Sequence, residues 1–378
     1  MGTQNIFAEE VGMTEGNIYN LLEKFDLETP MEGVKVSPYG GGLINSTFLV
    51  ETEPKFILQK INTNVFHSPA ELMKNIELVT EHLKEKLRAA CEDVSKGTYS
   101  VVKAKDGNNF VIDENGDFYR VLTFIDAVSH DNAEDPTTLY RAAKCYGKFQ
   151  KMLSDFDADK LFEVIPLFHH TPNRMKNLEK AISENRSGRL DKVRAEVEFA
   201  LSFKDRISAV VDGIADGSIP LRVTHNDTKL NNFLFDRDTD ECVCLIDLDT
   251  VMPGSLLYDF GDALRVGASS AAEDETDLEK VFFCIEPFEQ FTRGLLEELA
   301  SEITAREREL LPYSQLLMTF EVGIRFLTDY LDGDVYFKTA YPEHNIDRAR
   351  NQFKLVRDID ARMNELNALV EKIYNEVK

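Results

Sequence analysis

The feature that most constrains this chain is a change in hydrophobic period near Asp126. Before it, apolar residues alternate with polar ones in short runs, the two-residue period of pleated strands. Thr47 to Glu51 and Phe56 to Ile61 flank a Thr-Glu-Pro turn, and Tyr99 to Lys103, Asn109 to Asp113 and Phe118 to Phe124 come after. Asp106-Gly107 and Asn115-Gly116 read as hairpin turns among them. One helix, roughly Pro69 to Leu87, interrupts the strands, with Ser68 placed to cap it and Pro69 at its first position. A shorter amphipathic helix over 12–26 precedes them, its stripe formed by Ile18, Leu21, Leu22 and Phe25. After Asp126 the intervals become three and four. Pro136 starts a helix that turns Leu139, Ala142, Ala143, Tyr146 and Phe149 towards a core, and further helices are predicted over 172–185, 190–214, 276–299, 304–331 and 346–376. A single strand hairpin near 230–248 is embedded among them. The expectation is an α+β chain of two lobes: a small antiparallel-sheet lobe with one main helix, 1–125, and a larger, mostly helical lobe, 126–378.

At 378 residues the chain is long for one core and suits two. No apolar run approaches the roughly 20 residues that span a bilayer. The opening residues MGTQNIFAEEVG lack the basic and apolar regions of a secretory signal, and Ile6 stands where a myristoylation signal wants Ser or Thr. A cytoplasmic location is therefore expected. The five cysteines are scattered (Cys91, Cys145, Cys242, Cys244, Cys284); only Cys242 and Cys244 are close, no further metal ligands sit beside them, and they read as reduced, buried thiols. The net charge is −24, from 43 Lys and Arg against 67 Asp and Glu. Such a surface repels nucleic acid and anionic membranes, so neither is an expected partner. A nucleotide is not excluded, because a local glycine loop and a metal can hold phosphates in an acidic protein.

The segment His225-Asn226-Asp227-Thr228-Lys229-Leu230-Asn231-Asn232 carries the strongest chemical signal. Protein kinases place His-x-Asp ahead of an Asn five residues on, often with a Lys two after the Asp. Asp227 would orient an acceptor hydroxyl and take its proton; Lys229 would offset charge on the transferring phosphoryl group; Asn232 would offer its amide oxygen to magnesium. His225 reads as a brace for the loop. The bland alternative, a polar turn, is weakened by the residues immediately beyond Asn232. Phe233 to Phe235 and Cys242 to Ile246 read as a hairpin that delivers the chain to Asp247, so that Asn232 and Asp247 can share one metal. Asp259-Phe260-Gly261 spells the kinase magnesium motif, yet it lies 27 residues past Asn232, whereas Asp247 lies 15 past it. The metal is assigned to Asp247, and Asp259 is read as a cap or brace for a helix starting near Phe260. Asp249 either helps a second ion or hydrogen-bonds its own loop.

In the strand-rich lobe, Tyr39-Gly40-Gly41-Gly42-Leu43-Ile44-Asn45 precedes a strand. Three glycines let backbone N–H groups approach phosphate without a Cβ in the way; no Gly-Lys-Ser/Thr succeeds them, so it is not a Walker loop. The strand Phe56 to Lys60 sits where a kinase keeps its phosphate-binding lysine. Alternation puts Ile57 and Gln59 on one face and Leu58 and Lys60 on the other. Either Gln59 meets the phosphates as a neutral donor, or a bulge brings Lys60 round. Glu71 and Glu77 are candidate partners on the next helix, although solvation is the commoner fate of helix glutamates.

These segments together resemble the aminoglycoside phosphotransferase and choline kinase superfamily, and within it the bacterial N-acetylhexosamine 1-kinases, over nearly the whole length. The resemblance is carried by residues 39–45, Phe56 to Gln59, Val223 to Asn232, Ile246 to Gly254, Tyr258 to Asp262 and Arg325 to Phe337. It implies a bilobal protein-kinase-like fold, ATP as co-substrate and Mg2+ as cofactor. The product implied is the 1-phosphate of N-acetylglucosamine or N-acetylgalactosamine. It assigns Asp227 as base against the C1 hydroxyl and Arg325 and Tyr336 as sugar contacts. The competing reading of Arg325 is a salt bridge to Glu321, and of Tyr336 a core aromatic. Where relatives carry a His after the glycine loop this chain has Leu43, which would remove a polar contact to the sugar. Small alcohols such as choline, methylthioribose or an aminoglycoside are the alternative acceptors, and a non-catalytic sugar- or nucleotide-binding pseudokinase is a more distant one. No obligate protein partner is indicated.

Overall fold

A computed structural model describes residues 15–29, 34–40, 44–133 and 135–378. Its contacts divide the chain into two units. The first takes the chain up to Val128 together with Asp159–Ile165 and Ile246–Met252; the second takes Ser129–Ala158, Pro166–Leu245 and Pro253–Lys378. Two short segments from beyond residue 126 thus cluster with the strand-rich part.

In the first unit the strands are β1 (Lys35–Pro38), β2 (Ser46–Glu51), β3 (Phe56–Ile61), β4 (Val101–Val102), β5 (Val111–Ile112) and β6 (Phe118–Thr123). They form one antiparallel sheet in the order β1-β2-β3-β6-β4, with β5 also on β6. The two expected five-residue strands shrink to β4 and β5 because their flanks are spent on turns. The Asp106 and Asp113 carboxylates accept from the N–H groups of Asn108 and Asn115, and Gly107 and Gly116 take positive φ of 89° and 85°. Alternation then sorts the sheet's faces. Phe48, Val50, Leu58, Tyr119 and Val121 join Ile18, Leu21 and Leu22 of α1 (Glu15–Leu22), with Phe25 beyond it, in one core. On the other face, Arg120 reaches Met73 of α2 (Pro69–Ala89). Ser68 does precede α2, but its hydroxyl makes no capping bond; its carbonyl receives the first N–H groups instead. A short turn of helix, α3 (Val94–Gly97), comes after α2.

The second unit holds α4 (Pro136–Met152), α5 (Thr171–Glu184), α6 (Arg194–Ser202), α7 (Ala209–Asp216), α8 (Leu256–Gly267), α9 (Ile285–Leu299), α10 (Ala305–Asp332), α11 (His344–Ala361) and α12 (Met363–Val377). Its strands include β7 (Arg222–Thr224) and the hairpin β8 (Phe233–Phe235) with β9 (Cys242–Leu245). The helix expected over 190–214 is two helices and two single turns, and that over 346–376 breaks at Arg362. The one expected over 276–299 begins only at Ile285, which puts Pro287 in its first turn, where a missing N–H costs nothing. α10 is bounded as its sequence asks. Thr304 and Glu307 form a reciprocal capping box, and Gly333 closes the helix at φ 101°. Gly261 makes another contact possible: a Cβ there would lie 2.4 Å from the Ser314 carbonyl oxygen, so glycine is what lets α8 meet α10. Cys244 is buried, Cys242 partly so and Cys91 exposed, all as free thiols. Among the described residues no helix is long and apolar enough to cross a membrane.

Candidate active site

β7 ends at Thr224, and the chain turns sharply: Asn226 adopts φ 65°, a left-handed conformation that asparagine tolerates better than most residues. What holds the turn is Asp259. This carboxylate is fully buried and accepts from the His225 N–H (2.8 Å), the Asn226 N–H (2.6 Å) and the Tyr146 hydroxyl (2.8 Å). Its own carbonyl accepts from the Thr228 hydroxyl at 2.6 Å. Burial pushes the Asp259 carboxyl up against the pull of these donors. The helix carrying it begins at Leu256 and is capped by Ser255, so Asp259 is no cap; it braces the loop. With both oxygens already engaged by N–H and O–H donors, it is poorly placed to ligate a metal.

The braced loop presents three of the expected residues together. Lys229 Nζ lies 2.6 Å from Asp227 Oδ1, and Asn232 Nδ2 donates to the Asp227 carbonyl (2.8 Å) and to Oδ2 (3.2 Å). His225 sits fully buried beneath, and its Nδ1 accepts from the Asp227 N–H at 3.3 Å. Burial works against the Asp227 charge, but the Lys229 ammonium outweighs it and holds the carboxyl below its usual range; Lys229 is raised in return. Asp227 is therefore an ionised, oriented carboxylate at neutral pH, able to accept a proton from a hydroxyl brought to it. The Asp227 and Lys229 side chains keep 23% and 48% of their exposure, so a reactant can reach both.

Phe233 pairs with Leu245 in the hairpin, so along the chain Asn232 is one residue before the paired strands and Asp247 two residues after them. Asp247 takes φ 61°. In the first unit, Asp249 meets Arg120 Nη2 at 2.6 Å, with side-chain exposures of only 3% and 1%. Asn45 donates to Asp249 at 2.5 Å while its own oxygen receives the Asn62 N–H at 2.9 Å. The strand residue Gln59 joins the same network: its Nε2 donates to Thr47 (3.0 Å) and its Oε1 accepts from Arg120 Nε (2.9 Å). Lys60 points the other way, to Asp117 at 2.6 Å. Glu77 pairs with Lys103 and Lys74 rather than with Lys60. Gly40 has φ 73° and open space where a Cβ would stand; Gly41, Gly42 and Leu43 lie outside the described residues. Among the described residues no three His, Cys, Asp or Glu side chains gather as a metal cage. The amide oxygen of Asn232, whose NH2 is spent on Asp227, and the carboxylate of Asp247 are hard oxygen donors. They suit magnesium, which commonly takes one or two protein oxygens beside substrate phosphates.

Arg325 and Tyr336 do come together in the second unit. They line a cavity of about 140 Å³ with Arg174, Asp332 and Phe337. Arg325 makes no ion pair with Glu321; its guanidinium lies over the rings of Tyr336 and Phe337, 5.9 and 5.5 Å from their centres. Tyr336 is not a core aromatic, being 67% exposed. Its loop is pinned by Asp329, which accepts from the N–H groups of Val335, Tyr336 and Phe337 at 2.8–2.9 Å and from Asn345. Glu321 is engaged elsewhere, with His169 Nδ1 (3.0 Å) and the Thr171 hydroxyl (2.6 Å). His169 Nε2 reaches the Asn226 carbonyl at 3.3 Å. Arg325 stands four residues, or about 6 Å of helix, beyond Glu321, and Arg174 three beyond Thr171. The cavity is thus tied through a buried His–Glu pair to the backbone beside Asp227.

Sequence reasoning missed Arg120, Arg174, His169 and Asn45. Arg120 had a signal, a lone cation inside the apolar strand Phe118–Thr123. Nothing marked Arg174 apart from a surface arginine.

A model of the phosphotransferase enzyme family matches residues 35–283. Among solved structures, a microcompartment-associated aminopropanol kinase aligns with a TM-score of 0.57 at 15% identity, covering 93% of this chain and 98% of that one. An ethanolamine kinase from Plasmodium vivax aligns at 0.55 and 13% identity, covering 92% and 87% respectively. A choline kinase from Cryptosporidium parvum Iowa II aligns at 0.54 and 14%, covering 94% and 99%. Likeness at such identities is a likeness of fold, and the fold is α+β, as the strand-to-helix change of period predicts, and protein-kinase-like, as the resemblance implies. Because the family match runs unbroken from β1, through the braced loop around Asp227, to beyond α8, the chain belongs to the phosphotransferase enzyme family.

Proposed function

We propose that the protein is a cytoplasmic kinase that transfers the γ-phosphate of ATP to the C1 hydroxyl of an N-acetylhexosamine, N-acetylglucosamine or N-acetylgalactosamine. The observation that carries this reading is the cavity of the second unit, walled by two guanidinium groups and two aromatic rings. Sugars offer many oxygen acceptors and an apolar ring face, which such walls complement. A quaternary ammonium would meet two positive charges, and the ring faces it needs are already covered by Arg325. Asp227 is the base. A hemiacetal hydroxyl is more acidic than an ordinary alcohol, so a carboxylate suffices, and such help is worth roughly 10²–10⁴-fold. Lys229 orients and holds Asp227 ionised and, once substrates are bound, offsets charge on the phosphoryl oxygens. By their place in the sequence, Gly40, Gly41 and Gly42 would offer backbone N–H groups to the phosphates, and Gln59 supports the neighbouring sheet through Arg120. Magnesium, when bound through Asn232 and Asp247, supplies positive charge that neutralises the transferring phosphates.

A second reading, an amino alcohol as acceptor, is favoured by Asp332, a cavity carboxylate with no hydrogen-bond partner among the described residues. Phosphorus NMR of reactions with Mg2+, ATP and, separately, N-acetylglucosamine, N-acetylgalactosamine, glucose, choline or ethanolamine separates the two. An anomeric sugar phosphate that disappears with Asp227→Asn is expected. Phosphorylation of choline or ethanolamine alone, or of a different sugar hydroxyl, would overturn the acceptor assignment.

A further inference from the structure

Nearly every partly buried arginine of this acidic chain has a carboxylate of its own: Arg120 has Asp249, Arg222 has Glu307, Arg265 has Glu273 and Arg189 has Asp334. The two that line the cavity of the second unit do not. Among the described residues, neither Arg174 nor Arg325 has a carboxylate within ion-pair distance. Asp329, on the same wall, has its carboxylate spent on three backbone N–H groups and Asn345. Arg174 is held in place by its Nη2, which donates to the Phe168 carbonyl at 2.7 Å, and its Nε is buried with no hydrogen-bond partner. Burial and the neighbouring Arg325 charge both push its guanidinium below its usual range, so this pairing is kept at a cost.

A buried donor left unmatched is expensive until an acceptor reaches it. Asp332 also lines the cavity, but its carboxylate lies beyond ion-pair distance of both guanidinium groups, so the acceptor that meets them comes from the ligand. Hydroxyls can rotate to suit either role and are weakly selected by such a site. A carbonyl oxygen, with two lone pairs and no hydrogen, fits the planar fork of a guanidinium. We propose that Arg174 is a specificity-determining residue, which with Arg325 receives the carbonyl oxygen of the acceptor's 2-acetamido group. This rests on the acceptor reading above and adds what distinguishes N-acetylhexosamines from plain hexoses. A site built to hydrogen-bond one substituent rejects the analogue lacking it far more strongly than an apolar pocket does, since its donors are then left unpaired.

Steady-state kinetics of the full chain with N-acetylglucosamine, glucosamine and glucose, for the native protein, Arg174→Gln and Arg174→Lys, test the assignment. Arg174→Gln should lower kcat/KM for N-acetylglucosamine about 10- to 100-fold, mainly through KM, and leave glucose and glucosamine within about threefold. Arg174→Lys, which keeps the charge but loses the fork, should fall between and serves if the Gln variant is unstable. Equal losses on all three sugars, or no loss on the acetamido sugar, would overturn the role of Arg174 while leaving the acceptor reading intact. A native protein inactive on N-acetylglucosamine would overturn both.

Discussion

Replacing Asp259 by Asn probes the loop that carries the proposed base. An asparagine can keep its oxygen on the His225 N–H and the Tyr146 hydroxyl, but its NH2 must then face the Asn226 N–H, donor against donor. One charge-assisted hydrogen bond, about 1.5–3 kcal/mol, is lost, and a buried N–H is left unmatched at about 1–3 kcal/mol. Some of this is returned. Burial raises the Asp259 carboxyl, so the neutral amide escapes part of the desolvation that the carboxylate bears. The net loss is about 2–4 kcal/mol. For a helical unit of this size each kcal/mol shifts the midpoint about 2 °C, which gives a drop of about 4–8 °C. Scanning calorimetry measures it, with Tyr146→Phe, which removes a single donor, expected to cost less. Activity should fall as well, because the left-handed turn at Asn226 loses its anchor, yet the Mg2+ concentration for half-maximal rate should stay unchanged. A Tm within about 1 °C of the native protein, combined with a large rise in the Mg2+ requirement, would refute the argument and make Asp259 a metal ligand.

Two further perturbations test the first unit. Arg120→Met leaves Asp249 buried and unpaired, which should cost about 3–5 kcal/mol in urea unfolding. The double variant with Asp249→Asn should recover part of it, and equal stability of the single variant and the native protein would show the pair to be dispensable. Burial raises the Glu77 carboxyl, but its ion pairs with Lys103 and Lys74 outweigh that and hold it at about 2 against an ordinary 4.5. A pKa lowered by folding stabilises fully above pH 4.5, and that contribution is lost as the pH falls towards 2. Both lysines are well exposed, so screening limits it to about 1 kcal/mol. The stability gap between native protein and Glu77→Gln should close between about pH 5 and pH 2; a gap of constant size would refute the pairing.

What the sequence made legible were features whose physics is local. The strand period of Phe56–Ile61, the turn glycines 107 and 116, and the helix predicted to start near residue 304 each depend on residues a few positions apart, and each sits where expected. So does the sorting of Asp227, Lys229 and Asn232 into one loop. The breaks were not legible. Ile359 and Leu366 are seven residues apart, the interval of an unbroken helix, so the bend at Arg362 leaves the apolar stripe in phase. Only tertiary packing decides it. Partners distant in sequence were equally hidden: Gln59 reads as a group free to meet a phosphate until Arg120, on the neighbouring strand, is seen to occupy its oxygen.

The long-range contacts that escaped the sequence explain how the residues it revealed can be both exposed and fixed. As the proposed base, Asp227 has to be open to a reactant, and an open side chain loses the packing that would hold it still. The burden falls on neighbours that never touch solvent. Asp259, fully buried, fixes the backbone just before Asp227, and Asp249, nearly so, is clamped by Arg120 and Asn45 two residues after Asp247. In each case a charged group is sequestered next to a charged group left accessible. Burying carboxylates is costly unless every lone pair is met. The cost is intelligible if what it secures is the direction of the residue next door. That arrangement makes Asp249 and Asp259 the positions where conservative, charge-neutral substitution should disturb chemistry without touching a reactant, and it separates them in kind from Asp227 and Asp247, where the same substitution should spare the fold.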